Sequence, residues 1–155
     1  MNKEDLTYEA SLYKSAAYCS TSEHCKADLR AKFDQWGVAE ADRKPILDYL
    51  TKERYLDESR YVRAFTNDKF RYNKWGRIRI AMALRQKQID PSLIEEALST
   101  IDPDSYESMM QSLIKEKSKH IKAASDYERR GKLFRFLATK GFESNLINKV
   151  LKTDY

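Results

Sequence analysis

The sequence predicts an all-α protein made of three tandem three-helix repeats, stacked into an elongated, curved body. Three observations carry this. Apolar residues recur at helical spacing from end to end, and no convincing period-two strand appears. Four glycines and three prolines in 155 residues are too few for a loop-rich β protein. Finally, one apolar register recurs when Gly37 is superposed on Gln88 and on Gly141. Leu29, Ile80 and Leu133 then coincide, as do Phe33, Leu84 and Leu137, then Val38, Ile89 and Phe142, then Leu47, Leu98 and Leu151. A period of about fifty residues implies small helical units that bury their faces against one another.

The first unit is expected over 5–54. Leu12, Ala16 and Cys19 repeat at i, i+4 and i+7, and Leu29, Phe33 and Trp36 do the same. Gly37 follows that second helix and precedes an apolar residue, the pattern of a left-handed C′ glycine with its hydrophobic contact. Pro45 falls where the third helix should run and is expected to kink or delay it. The second unit is expected over 55–101. Tyr61, Phe65 and Tyr72 share its first face, and Asp90-Pro91 places an N-cap acid before a first-turn proline. In the third unit, 103–152, Asp102-Pro103 repeats that start. Tyr106, Met110 and Leu113 follow on one face, then Leu133 with Leu137, and Gly141 supplies the stop.

Charge is unevenly spread. Residues 1–60 hold ten basic and twelve acidic side chains, whereas 61–155 hold nineteen and twelve, so the excess lies in the later units. Its densest part is Lys69 to Ile89, which carries Lys69, Arg71, Lys74, Arg77, Arg79, Arg85 and Lys87 and no acid, interleaved with Phe70, Tyr72 and Trp75. Such a face suits a polyanion, or a protein already coating one, because cations neutralise phosphates and exposed aromatics stack or fill pockets. The candidate partner-binding residues are therefore Arg71, Lys74, Trp75, Arg77, Arg79, Arg85 and Lys87. Trp75, at an apparent helix junction, reads equally as a packing anchor or an interface hot spot. Trp36 reads as core. The Lys115–Lys122 run alternates with Glu116 and Ser118 and reads as a solvated helix face.

Specific residues along this register resemble a known family. Tyr55-Leu56-Asp57-Glu58-Ser59-Arg60-Tyr61, followed by Ala64-Phe65, resembles the Leu-Asp-Asp/Glu, Arg-aromatic signature of RecX regulatory proteins. Ala16-Ala17-Tyr18-Cys19, Leu29-Arg30 and Gly37-Val38 look like that family's first repeat. Trp75-Gly76-Arg77-Ile78 through Leu84-Arg85-Gln86-Lys87-Gln88-Ile89 resembles its central Gly-x-x-Ile, Leu-x-x-Lys-Gly-Ile segment. There are departures. Gln88 stands where the family has glycine, so that helix end is expected to be less sharply terminated, and Arg43 stands at a usually apolar position. The resemblance implies a curved stack of three-helix repeats that lodges in the groove of the RecA–DNA filament. It further implies inhibition of strand exchange and of RecA's ATP hydrolysis, with weak nonspecific DNA contact at most. The alternative is a direct nucleic-acid-binding protein of helix-turn-helix type, with Arg77, Arg79 and Arg85 on phosphates or bases.

Other chemistry finds no footing in the sequence. His24 and His120 sit in polar helical stretches, and no triad or phosphate loop surrounds the Ser, Asp and Glu residues. The glycines at 37, 76, 131 and 141 cannot form a nucleotide cradle. Glu95 and Glu96 are adjacent, so on a helix they point in different directions. Cys19 and Cys25 are too few for a disulfide scaffold or a zinc site and read as small buried helix residues. The expectation is a non-enzymatic, cofactor-free monomer. With a polar start at Met1–Asp5 and no apolar span, it is placed in the reducing cytoplasm and not in a membrane.

Overall fold

The computed structural model describes residues 6–153; the expected start of the first unit, at residue 5, and the polar start Met1–Asp5 lie outside them. Among the described residues there are nine helices and no strand. They are α1 (Tyr8–Thr21), α2 (Lys26–Trp36), α3 (Glu40–Lys52), α4 (Glu58–Arg71), α5 (Arg77–Gln86), α6 (Pro91–Ser99), α7 (Pro103–Ser118), α8 (Asp126–Thr139) and α9 (Ser144–Thr153). The extensive helix pairings fall within successive triplets: α1 and α2 each on α3, then α4, α5 and α6 on one another, then α7, α8 and α9 on one another. The chain exposes 10053 Å², against about 8100 Å² for a compact monomer of its mass, so the stack is extended.

Local chemistry starts most of these helices. Side-chain oxygens of Thr7, Asp57, Asp90, Asp102 and Ser125 accept the first free amides of α1, α4, α6, α7 and α8. Pro91 and Pro103 occupy first-turn positions that need no amide. At α2 the Asp28 carboxylate reaches back to the Cys25 amide at 3.2 Å.

The middle helix of each triplet ends in the same way. The Val38 amide donates to the Phe33 carbonyl at 3.0 Å, Ile89 to Leu84 at 3.3 Å, and Phe142 to Leu137 at 3.1 Å. Between them sit Gly37, Gln88 and Gly141, with φ of 73°, 59° and 99°. This is a Schellman turn built three times, with its apolar contact buried in each. Gln88 thus terminates α5 as sharply as a glycine does, against expectation, at the cost of left-handed backbone on a residue with a Cβ. Leu29, Ile80 and Leu133, like Phe33, Leu84 and Leu137, are wholly buried.

Four sequence-based details change. The fully buried face of α1 is Ser11 and Ser15, with Leu12, Ala16 and Cys19 at its margin; small residues let α1 come close to α3. Cys25 is buried as expected, but as the residue that opens α2. Tyr72 leaves the Tyr61/Phe65 face because α4 ends at Arg71, and it is 78% exposed. Pro45 does not delay α3, which begins at Glu40 and runs through to Lys52. The acceptor deprived of an amide belongs to Ala41, an exposed residue that water can serve. Arg43 is half-buried because its Nε donates to the Val38 carbonyl at 3.1 Å while Nη1 pairs with Asp34 at 2.6 Å.

Two cores result. The first holds Leu29, Phe33, Val38, Ile46, Leu50 and Leu56. The second runs unbroken from α4 to α9, through Tyr61, Phe70, Leu84, Tyr106, Leu137 and Phe142.

The terminator geometry gives opposite expectations for two substitutions. Gln88→Gly should stabilise the chain by about 0.5–1 kcal/mol, the relief of left-handed strain less the added entropy of the unfolded glycine. Gly141→Ala places a Cβ 2.4 Å from that of Arg79 at positive φ and should cost about 3 kcal/mol. Denaturant midpoints measure both.

Candidate interaction surface

The basic stretch folds as the end of α4, a turn over residues 72–76, helix α5 and the α5–α6 turn. Its candidate residues divide into two groups. Arg71, Lys74, Arg79 and Arg85 are exposed, and none pairs with an acid among the described residues. Arg71 and Lys74 edge an open groove between α4 and the start of α7, lined also by Phe70, Ile101, Asp102, Asp104 and the buried Thr66, whose hydroxyl has no partner among the described residues. Lys74 takes left-handed backbone, φ 59°, and the next amide, of Trp75, donates back to the Lys69 carbonyl at 3.0 Å.

Trp75 is half-buried against the second core, with cations over its ring: the Arg79 guanidinium 4.3 Å and the Lys69 ammonium 4.9 Å from the ring centre. It is a packing anchor that also holds Arg79 in place.

Arg77 and Lys87 do other work. Arg77 lies over the Tyr106 ring at 3.9 Å, its Nη1 donates to Glu143 at 3.0 Å, and its amide donates to the Tyr106 hydroxyl at 2.9 Å. That hydroxyl in turn donates to Glu143. Burial, then the bond to Glu143, pushes the Tyr106 phenol above the ordinary tyrosine range, so it keeps its proton. Lys87 reaches the first unit, 2.5 Å from Asp28. Burial of Asp28 opposes ionisation, but the Lys87 ammonium and the Cys25 amide outweigh it and hold the carboxyl below the usual carboxylate range. Beside it, Arg60 pairs with Glu23 at 2.5 Å and the Lys26 amide donates to Glu58 at 3.2 Å. Arg77 and Lys87 therefore join units, Arg77 to the third and Lys87 to the first.

Two further contributors escaped the sequence reading. Ile78 and Met82 are 46% and 53% exposed, one turn apart on α5 and followed three residues later by Arg85. Their signal was present: two apolar residues outside the Ile80/Leu84 register. The other is Lys140, far along the chain, whose ammonium donates to the Asn73 carbonyl at 2.8 Å. The superposition of Gly141 on the earlier stops marks its turn but not its neighbours, which come from the second unit.

Comparison with known proteins now has a geometry to meet. The profile of the second three-helix domain of RecX matches residues 57–98, and that of its third three-helix domain matches 105–151. The chain belongs to the RecX family. The regulatory protein RecX of Prosthecochloris aestuarii is 28% identical over 147 residues, covering 95% of either chain. That of Clostridium botulinum strain Alaska E43 is 31% identical over 143 residues, covering 90% of this chain. This RecX-family chain spans 66% of the length of that relative and 58% of the one from strain Eklund 17B. Two crystal structures share the fold: RecX from Lactobacillus salivarius, TM-score 0.85 at 17% identity, covering 94% of this chain and 95% of that one, and a regulatory protein RecX, TM-score 0.82 at 22% identity, covering 97% and 81%. Among the described residues no helix is long and apolar enough to cross a membrane, and no side-chain cluster is suited to a metal.

The division within the basic stretch is measurable. Arg77→Gln should destabilise by about 1–3 kcal/mol, since it leaves Glu143 and Tyr106 short of a charged partner. Arg71→Gln and Arg85→Gln should stay within about 0.5 kcal/mol of the parent. Thermal or urea unfolding of the three variants checks the contrast.

Proposed function

We propose that this chain binds the RecA–DNA filament and inhibits its recombinase and ATPase activities, and so regulates DNA repair and recombination. One observation carries the reading: a RecX-family chain exposes Arg71, Lys74, Arg79 and Arg85, none paired with an acid among the described residues, and exposes Ile78 and Met82 on α5. Unpaired cations around an apolar strip suit a surface of acidic protein and phosphate. Charge draws the partner in, and apolar burial holds it. A cytoplasmic monomer goes with this reading.

The helix-turn-helix alternative is less well supported. The third helix of the central unit, α6, carries Glu95 and Glu96 and no Lys or Arg, which suits a DNA groove poorly. The first amides of α5 are taken up by Tyr106 and by the Gly141 carbonyl, so its N-terminus faces the third unit and not base edges.

The deciding experiment is the ATPase rate of RecA on single-stranded DNA with and without this chain. The parent should slow hydrolysis; an unchanged rate over a wide range of added chain would sink the proposal. Arg71→Glu combined with Arg85→Glu should weaken inhibition at least tenfold while leaving the fold intact, and Lys52→Glu on α3 should not. The advantage of the parent should shrink as salt rises, because exposed charges are screened over about 8 Å at physiological ionic strength.

A further inference from the structure

Where the second and third units meet, three cations converge. The Lys140 carbonyl accepts the Gly76 amide at 2.8 Å, and the Gly141 carbonyl accepts the Ile78 amide at 3.0 Å. A Cβ on Gly76 would lie 2.3 Å from the Gly141 carbonyl carbon, so nothing larger than glycine fits between the two backbones. This contact sets Lys140 beside the turn that carries Lys74. It also places Arg79 against Gly141, where the Trp75 ring holds the guanidinium. Lys140 in turn fastens to the Asn73 carbonyl. The Arg79 and Lys140 charges are thus held by stacking and by a backbone carbonyl, while the backbone of the turn sets where Lys74 starts. They also repel: partial burial, then Arg79 and Lys74, holds the Lys140 ammonium below the ordinary lysine range. No ion pair to Lys74, Arg79 or Lys140 relieves that repulsion among the described residues, although Asp102 and Asp104 line the groove that Lys74 edges.

We infer that Lys74, Arg79 and Lys140 form a composite site for the phosphodiester backbone of DNA, spanning the second and third units. The chemistry favours phosphate over bases and over a folded acidic surface. Trp75 already carries cations on its ring and is half-buried, so it offers no platform for a base. Lys74 and Arg79 are exposed and Lys140 is half-buried, and no enclosed pocket holds all three, which suits a repeating charge read without regard to sequence. The site goes beyond the filament reading because it predicts DNA contact in the absence of RecA.

The test is fluorescence anisotropy with labelled oligothymidylate and with a labelled duplex, across a salt series, using the full chain alone. Lys140→Gln, Arg79→Gln and Lys74→Asn remove one charge each; asparagine tolerates the left-handed backbone at position 74. Each should weaken binding severalfold. Each should also flatten the slope of log affinity against log salt by about 0.7 on the single strand or about 0.9 on the duplex. A double variant should lose about twice that. The two probes show whether single or double strands are the source of the phosphates. Parent-like affinity and slope in all three variants would overturn the site. So would an equal loss in Lys52→Gln, which would reduce the effect to net charge. If the variants bind DNA as the parent does but lose inhibition of RecA, the cluster contacts protein and the phosphate assignment fails. If DNA binding falls as expected while the parent leaves the RecA ATPase untouched, the phosphate site stands and the filament reading is what fails. Unfolding midpoints of each variant separate a lost contact from a lost fold.

Discussion

The close approach of Gly76 to Gly141 sets the arrangement of everything downstream of α4. Two backbones meet with no side chain between them, and the Gly76 and Ile78 amides donate hydrogen bonds to the Lys140 and Gly141 carbonyls. Because the contact leaves no room for a Cβ on either side, it fixes the start of α5 against the α8–α9 turn. Tyr106 can then stack on Phe70 with Phe142 tilted against it, and Arg77 can lie over it to meet Glu143. The same contact aims Arg79 and Lys140 at one patch of surface. A structural glycine pair and a functional charge cluster are two sides of one joint.

The other joint is built differently. Between the first and second units polar pairs join Asp28 with Lys87, Glu23 with Arg60, and Glu58 with the Lys26 amide, while Leu56 enters the first core. Cys25 is the first-unit residue fully buried in the larger core, and Ala27 packs beside it. Half-exposed ion pairs contribute little each, whereas a continuous apolar core contributes throughout its area. The first unit is therefore joined in part by charge pairs, whose contribution falls as salt rises.

Much of the fold was legible in the sequence because the same local rule is written three times. Each middle helix needs two wholly buried positions, a left-handed residue and an apolar residue after it, and these four requirements leave a readable trace at Leu29 to Val38, Ile80 to Ile89 and Leu133 to Phe142. Gln88 could be placed only by superposition, since its side chain does not advertise positive φ. The candidate surface was less legible. A count of charges along Lys69–Ile89 cannot distinguish Arg85, which faces solvent, from Arg77, which Glu143 and Tyr106 engage. That distinction depends on partners 66 and 29 residues away. Lys140 was invisible for the same reason, since its neighbours come from another unit.

The two tryptophans of the chain have an optical consequence. Trp36 packs on the first core, edge-on to Tyr18 with the Lys14 ammonium 4.9 Å above it, and Trp75 packs on the second, beneath Arg79 and Lys69. Each core therefore owns one indole, held in its own charged and half-buried setting. With either tryptophan replaced by phenylalanine, the emission of the other would report on its own core.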